Sequence, residues 1–424
     1  MAHVELEPLR HMGLLGAGTQ ARSAAARPRP GLTELGDLGV EILPLGACEA
    51  LAREWRDLAA RAVEPNVFFE PGFLLAAARH LPEAQDHSAV LVWAREPEGS
   101  RLVGFWPMRA TGGSWRARRA AGLRCRHIPF GAPLLDRALA VESASAMLKA
   151  LALGEGGVAL FSDMALDGPA ARALRAAALI SGLSVGELDA QRRPCLWREG
   201  APSSPTGRAR RERSRRLRRL ARHGEVKASA ASTPGEVREA VELFMALEAS
   251  GWRARSGAAL LCRPRDAAFF RCMSRALSRE GQIAVHLLQA GSQVAAAGVV
   301  LSRGGQSWFL ALSHDAQLRE AAPGALLGQS VAESFASAAR QGESGAGEDS
   351  VGAGSDFRLD SCALPARRMF EHAWVGRMRV GVLAVGERPP VDRLCRRSRL
   401  RRGLGDAAAA LMGRLSFRRA GRAG

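Results

Sequence analysis

The chain has 424 residues, 47% of them hydrophobic, and its formal net charge is +18. This length predicts two domains, and no apolar run approaches the roughly 20 residues of a membrane-spanning helix. Residues 1–30 lack the pattern of a signal peptide, so we expect a cytoplasmic protein. The seven cysteines are scattered without metal-ligand spacing, and they predict neither a metal site nor a disulfide.

The first half begins with a segment, residues 1–39, that we interpret as a disordered tail. A globular pattern follows and predicts a first domain over residues 40–200. Apolar periodicity there predicts alternating helices and strands. In chain order these are a helix through Leu51, Trp55 and Leu58, a helix over Phe73–Leu81, strands over Ala89–Trp93, Leu102–Met108 and Val158–Ser162, a helix over Pro169–Ile180, and a strand over Leu183–Leu188.

The second half, residues 225–380, repeats that order. The predicted elements are a strand over Val226–Ala230, helices over Pro234–Ala249 and Asp266–Leu277, strands over Ile283–Leu288, Val294–Leu301 and Ser307–Leu312, and a helix over Gly324–Arg340. The two predicted hairpins correspond, because Ala89 and Ile283 lie 194 residues apart while Leu102 and Val294 lie 192 apart. A repeat of this length indicates duplicated domains.

Two basic segments lie outside the predicted domains. Residues 201–224 form a basic linker, in which Arg208–Arg222 presents arginines around one apolar edge. This helix is either a solvated linker or a strip that binds phosphate or nucleic acid. Residues 381–424 form a basic tail with an amphipathic helix, which either packs on the protein or touches an anionic membrane surface.

An ordered series of short motifs runs through the second half. Its members are Ser214–Leu220 with Gly224-Glu225-Val226, Leu247-Glu248 with Gly251-Trp252-Arg253 and Gly257, Ala268-Phe269-Phe270, Gly281, Val294-Ala295-Ala296, His314-Asp315 and Pro323–Leu327. Phe68–Pro71 and Trp106–Met108 are the matching points in the first half. The series resembles the double-GNAT acyltransferases found near bacterial cellulose and exopolysaccharide biosynthesis, distant relatives of the FemAB-type aminoacyltransferases. The resemblance implies an α/β (α+β) fold of two tandem GNAT-like domains, each a mixed, mostly antiparallel sheet flanked by helices.

The resemblance also implies an acyl-CoA site. GNAT enzymes bind the CoA pyrophosphate through a Q/R-x-x-G-x-G/A pattern, and here Arg319 to Gly324 precede a helix, with Ala322 where the first glycine is expected. Arg319 supplies charge, Pro323 favours a helix start, and Gly324 lets a ligand approach the backbone. The backbone N–H groups that follow, at Ala325 and Leu326, belong to the same helix terminus. This prediction requires open amides around Gly324; an ordinary Pro-Gly helix start is the alternative.

Candidates for acyl-transfer chemistry are harder to place. His314 is the predicted base, next to Asp315, although such a pair is often only solvated. Glu248 and Trp252 lie one helical turn apart, and Trp252 either lines an acceptor pocket or belongs to the core. Two further candidates are Asp356, which either binds an acceptor amine or caps a turn, and Arg367, which stands where the lysine of the family's Tyr-Lys pair is expected. The chain has no tyrosine.

The resemblance therefore implies transfer of an acyl group from acetyl-CoA or another acyl-CoA, without a metal, to a small-molecule amine or hydroxyl. The acceptor would be a sugar or cell-envelope precursor. Two alternatives stay open. The first is an aminoacyltransferase that uses aminoacyl-tRNA and holds RNA on residues 208–222. The second is a catalytically inactive scaffold with the GNAT fold.

Overall fold

The computed structural model describes residues 33–97, 99–111, 119–151, 157–197, 207–251, 255–341, 358–363, 370, 374 and 376–401. Its strands are β1 (Thr33–Leu35), β2 (Leu38–Pro44), β3 (Ser88–Glu96), β4 (Gly99–Thr111), β5 (Arg119–Gly122), β6 (Leu134–Leu135), β7 (Val158–Ala165), β8 (Ser184–Trp197), β9 (Val226–Ala231), β10 (Ile283–Ala290), β11 (Gln293–Arg303), β12 (Gln306–His314), β13 (Arg358–Asp360) and β14 (Gly376–Gly386). Its helices are α1 (Ala52–Arg61), α2 (Pro71–His80), α3 (Pro82–Gln85), α4 (Ala140–Ala150), α5 (Pro169–Ile180), α6 (Gly207–Leu220), α7 (Pro234–Ser250), α8 (Pro264–Arg279), α9 (Pro323–Gln341) and α10 (388–401).

One sheet runs through both halves in the order β1-β2-β3-β4-β5-β7-β14-β8-β13-β12-β11-β10-β9, with β6 paired to β4. Strands β5 and β7 are parallel, as are β12 and β13, and the other pairs are antiparallel. In each half an antiparallel hairpin, β3–β4 or β10–β11, is followed by a third strand and then by a parallel neighbour. The predicted fold class, a mixed and mostly antiparallel sheet flanked by helices in a duplicated arrangement, is confirmed.

Strand β14 comes from the end of the chain but lies within the sheet of the first half. It pairs antiparallel with β7 on one side and with β8 on the other. From Val380 to Gly386 both faces of β14 are buried, so this part of its sequence is a nearly continuous apolar run, as expected for a central strand. The boundary that we drew between residues 380 and 381 falls inside this strand.

A single large apolar core spans the two halves. Aromatic rings of the first half, Phe68 and Phe73, pack edge-on against Trp308 and Phe269 of the second half, with ring centroids 5.6 and 5.3 Å apart. A smaller cluster lies beneath α9 and includes Phe309. Because α2 packs against α8, the helices of one half cover part of the other.

The two ends of the described chain differ from the expected tails. Residues 33–39 form part of the β1–β2 hairpin, which extends the sheet beyond β3, rather than a disordered segment. Helix α10 packs on the first half through Val391, and its Ser398 hydroxyl donates to Asp189 Oδ1 at 2.9 Å. The described part of the tail therefore packs on the protein. Residues 402–424 lie outside the described chain.

Candidate active-site cleft

The sheet splits between the parallel strands β12 and β13. Only residues Gln306–Trp308 of β12 pair with β13, so within the described chain the rest of β12 has a strand partner only on the β11 side. A β-bulge lies in this unpaired part, because Val300 faces Phe309 while Val299 faces Ala311. Leu310 is the extra residue. Bulges of this kind are common beside active sites, where they redirect backbone and side chains.

A cavity of about 750 Å³ opens at this split, between the two halves. The second half lines it with Phe244 and Glu248 of α7 and with Leu310 and Ala311 of β12. The first half lines it with the loop after β5, residues 124–129, and with polar groups of β7 and β8. We call this cavity the central cleft. Its size and its mixture of apolar and titratable walls suit a small organic ligand.

Strained backbone concentrates around the central cleft. Among the described residues, non-glycine residues with a positive φ are Asp163, Asp189, Cys362 and Ala322. The first three line the cleft, at φ values of 53°, 51° and 50°. The fourth, Ala322, precedes α9. Such conformations cost roughly 1–3 kcal/mol each and persist where the surrounding structure enforces them, often at ligand sites.

A buried ion pair joins the halves at the floor of the cleft. Arg193 Nη1 of β8 donates to Asp360 Oδ2 of β13 at 3.0 Å and to the Pro129 carbonyl at 2.8 Å. Burial alone would lower the pKa of Arg193, but the facing Asp360 carboxylate outweighs it, and the pKa is raised. The other Asp360 oxygen accepts the Cys362 N–H at 2.9 Å. Burial raises the pKa of the Cys362 thiol well above its usual value, so this group stays protonated.

Glu248, a predicted catalytic residue, lies in the central cleft. It is only 3% exposed, and its Oε2 accepts the N–H of Leu260 at 2.8 Å. This bond ties the carboxylate to the chain between α7 and α8. Glu248 is thus held in place by backbone and lines the same cavity as Leu310. Its catalytic role stays a prediction.

A second polar group in the cleft was not anticipated from the sequence. His127 Nε2 accepts from Arg126 Nε at 3.0 Å and lies 3.5 Å from Asp266 Oδ1, while its ring packs 5.1 Å from that of Phe269. Arg126 also forms an ion pair with Asp266. His127 and Asp266 come from different halves, and no local motif connects them, so sequence spacing could not reveal the group.

His314 and Asp315, predicted as catalytic, lie further along β12, and neither lines the central cleft. His314 is three positions after Ala311, which places them roughly 10 Å apart along the strand. Asp315 Oδ1 accepts the Gln317 N–H at 2.8 Å, and its Oδ2 accepts from Gln293 Nε2 at 2.7 Å. Asp315 therefore caps the short helix that follows.

The predicted pyrophosphate site is more closed than the sequence suggests. Pro323 and Gly324 are buried. The N–H groups of Ala325 and Leu326 both donate to the Ala322 carbonyl, at 3.0 and 3.2 Å, and Ala322 N donates to the Arg319 carbonyl at 3.0 Å. Since proline has no N–H, only the Gly324 amide is left among these five positions for a phosphate. The expectation of several open amides is not met, and the role of this site stays a prediction.

Arginine side chains surround the same turn. Arg319 is exposed, and Arg219 of α6 reaches across to donate from Nη1 to the Glu320 carbonyl at 3.1 Å. Arg213, two turns earlier on α6, pairs with Glu333 of α9. Helix α6 therefore lies along α9 with its last turn at the α9 N-terminus, where its guanidinium groups add to the positive end of the helix dipole.

Three predicted site residues, Trp252, Asp356 and Arg367, lie outside the described residues. Across the residues that are described, no group of three or more His, Cys, Asp or Glu side chains has an arrangement that could hold a metal ion. Within the same residues, no helix combines the length and apolar character needed to cross a bilayer.

A comparison with models of protein families supports the resemblance noted in the second half. Residues 207–342 match the model of the acetyltransferase (GNAT) domain family, about a third of the chain. The matched segment runs from α6 to the end of α9 and includes the bulge in β12. This segment is similar to the GNAT domain family, in agreement with the resemblance noted from the sequence. A search of curated proteins finds no match.

Several solved structures are similar to this chain at low identity. The C-terminal domain of an Agrobacterium fabrum protein described as a lysylphosphatidylglycerol synthetase is 13% identical, with a TM-score of 0.48, over 82% of this chain and 95% of that one. FemX is 9% identical (TM-score 0.46; 78% and 95%), and a tandem GNAT protein of clavulanic acid biosynthesis is 15% identical (TM-score 0.34; 81% and 98%). At these scores the likeness says nothing about activity.

Proposed function

We propose that this chain is an acyltransferase that moves an acyl group from an acyl-CoA thioester to an amine or hydroxyl in the central cleft. The observation that carries the proposal is the bulged split between β12 and β13, which opens onto a cavity holding the buried Glu248. The β12 side of this split, with the bulge, lies in the part of the chain that matches the GNAT domain. We place the reaction in the cytoplasm, with a sugar or envelope precursor as acceptor.

Acyl transfer needs a proton acceptor and a donor to the thioester oxygen. In the proposed reaction the acceptor nitrogen or oxygen attacks the thioester carbonyl and gives up a proton, the C–S bond breaks, and the CoA thiolate leaves and takes up that proton to become the free thiol. Glu248 would take the proton of the acceptor, because it is the buried carboxylate at the split. The backbone N–H of the bulged Leu310, which lacks a facing residue on β11, would support the oxyanion.

The CoA phosphates would be held mainly by side chains. Only the Gly324 amide is left at the start of α9, whereas Arg319 and the last turn of α6 surround that turn. Arginine binds phosphate through paired, charge-assisted hydrogen bonds. The arginine-rich helix would therefore replace the amides that a more open glycine loop would supply.

The exposed face of α6 favours a second candidate, transfer from an aminoacyl-tRNA. Arginines along this helix are exposed, namely Arg208, Arg210, Arg211, Arg215 and Arg218, with Arg222 just after it. A strip of this charge suits a nucleic-acid backbone and would bind it with a steep dependence on salt. The α6 arginines thus suit either acyl donor, acyl-CoA or aminoacyl-tRNA, and binding measurements decide between the two.

The test is a titration of the purified protein with acetyl-CoA and, separately, with tRNA at two salt concentrations. We expect saturable acetyl-CoA binding that weakens about 10-fold or more in Arg319→Glu, because a charge-assisted contact is lost and a repulsive one gained. The matched control is Arg238→Glu, an exposed arginine on α7. Salt-sensitive tRNA binding without acetyl-CoA binding would support the second candidate. Binding of neither donor would overturn both and leave an inactive scaffold.

A further inference from the structure

A second cavity of about 270 Å³ lies at the junction of the two halves, with walls different from those of the central cleft. It is bounded by the start of α5, the β11–β12 turn and the paired ends of β8, β13 and β14. We propose that this cavity, which we call the junction pocket, binds a small phosphate-bearing molecule. The inference is independent of the acyl donor.

The walls of the junction pocket are strongly basic. Five arginines line it, namely Arg137, Arg172, Arg358, Arg377 and Arg379, and Asp167 is the one acidic side chain of the lining among the described residues. Arg379 pairs with this aspartate, because its Nη1 donates to Asp167 Oδ1 at 2.8 Å. The positive charge of the walls therefore exceeds the negative charge that the lining supplies.

Most of the remaining arginines meet neutral oxygen atoms. Arg172 Nη1 donates to the Asp167 carbonyl at 2.7 Å, and Arg377 Nη1 donates to the Gly376 carbonyl at 2.8 Å. Within the described chain, neither Arg137 nor Arg172 forms an ion pair. A carbonyl orients a guanidinium group without neutralising it, so within the described chain Arg172 is positioned at the cavity with its charge uncompensated.

The environment of Arg358 also points to a bound anion. It is 4% exposed, its Nη2 donates to Gln306 Oε1 at 2.7 Å, and its guanidinium carbon lies 5.4 and 5.7 Å from the ring centroids of Phe130 and Trp197. Its Nε forms no hydrogen bond within the described chain. A buried arginine with an unused donor is costly unless an anion completes its environment.

The carboxylate nearest to Arg358 is already engaged elsewhere. Glu64 is fully buried, and its Oε2 accepts the N–H of Ala170 at the start of α5, at 3.2 Å. Its Oε1 lies 3.8 Å from Arg358 Nη2, too far for a hydrogen bond. Glu64 therefore caps the helix and leaves Arg358 with an ion pair of poor geometry.

These features select phosphate over other anions. Several guanidinium groups converge on one small volume, and arginine pairs with the oxygens of phosphate through parallel hydrogen bonds. The cavity admits a phosphate with a small organic group, whereas a polymer backbone would not fit in it. Because the walls come from both halves, a bound molecule would bridge them.

The proposal is tested by titrating the full chain with inorganic phosphate at constant ionic strength, followed by ³¹P NMR and calorimetry. Glycerol 3-phosphate and glycerol form a matched pair of probes, which separates a phosphorylated metabolite from free phosphate. We expect saturable binding of the phosphate probes, none of glycerol, and a phosphate-dependent rise in Tm. Tighter binding of glycerol 3-phosphate than of inorganic phosphate would identify the organic ester as the better ligand.

The double variant Arg137→Gln/Arg172→Gln removes two exposed arginines and avoids the folding risk of altering Arg358. It is expected to weaken phosphate binding about 10-fold or more, while Arg238→Gln leaves binding unchanged. Acetyl-CoA binding should be the same in all three proteins, so failure here is distinguishable from failure of the proposed function. Non-saturable binding, or equal weakening in Arg238→Gln, would overturn the proposal.

Discussion

Glu70 shows how a single residue couples the two halves. It precedes α2 in the first half and is 1% exposed, yet its partners come from the second half. Gln282 Nε2 donates to Oε2 at 2.8 Å, and Arg303 Nε lies 3.1 Å from Oε1. Burial raises the pKa of Glu70, and the nearby Arg303 only partly opposes it. The seam between the halves therefore contains a carboxylate whose charged form is disfavoured by its surroundings.

This raised pKa predicts a specific pH dependence. The folded chain holds the Glu70 proton more tightly than the unfolded chain does, so the contribution to stability is full below the ordinary value near 4.5. It is lost as the pH rises through the folded pKa. Glu70→Gln cannot ionise and keeps an acceptor for Gln282. Urea unfolding should therefore show a smaller loss of stability between pH 4.5 and 7 in Glu70→Gln than in the wild type.

The matched control for this comparison is Glu239→Gln, an exposed glutamate on α7. It should keep the slope of the wild type. A slope in Glu70→Gln as steep as that of the wild type would show that Glu70 is not the group that titrates.

At the scale of elements, β14 lies between two bulged strands and shapes the floor of the central cleft. Strands β7 and β8 each bulge beside β14, at Asp163 and Asp189, and Gly381 lies between them. A Cβ at Gly381 would lie 2.9 Å from the Leu188 carbonyl oxygen and 3.0 Å from Ala190 Cα. Glycine is needed here because the β8 backbone approaches that of β14 closely at this position.

Gly381→Ala is therefore expected to lower the free energy of unfolding by about 1–3 kcal/mol, the usual cost of overpacking. Gly46→Ala is the matched control, because a Cβ there meets nothing within 4 Å. Thermal or urea unfolding of both variants gives the comparison. Equal stability of the two would mean that the floor of the cleft adapts without cost.

The sequence predicted those helices and strands whose boundaries are marked by residues within or next to them. Helix α5 begins and ends where its apolar period and its leading proline indicate, and α7 begins at the predicted Pro234. Strands β13 and β14 were missed, since each pairs with β8, which lies more than 150 residues away in the chain. The same distinction applies to the residues of the candidate site. Glu248 was found through a motif, whereas the Arg193–Asp360 pair and His127 depend on contacts between the halves, which no spacing reveals.

At the scale of the whole molecule, the halves are duplicated in pattern but not separable in structure. Strand β14 completes the sheet of the first half between β7 and β8, and the core aromatic residues of the two halves pack on one another. The central cleft and the junction pocket both lie at this shared boundary. Each therefore requires the complete chain.

Ending the chain after residue 375 should thus damage the first half although it removes only residues of the C-terminal segment. Without β14, strands β7 and β8 lose their ladder partner and expose apolar faces. We expect loss of a cooperative unfolding transition and gain of dye binding by exposed apolar surface. A chain ended after residue 401 keeps β14 and α10 and serves as control. A cooperative transition in the shorter chain would contradict this expectation.

The position of β14 also constrains how the protein is made. During synthesis on the ribosome, β8 emerges roughly 190 residues before β14, and β7 roughly 220 residues before it, which at 5–20 residues per second is a delay of about 10–45 s. Over that interval the nascent chain carries two open strand edges. Chaperones that shield such edges would raise the yield of native protein, and slower elongation would lower it.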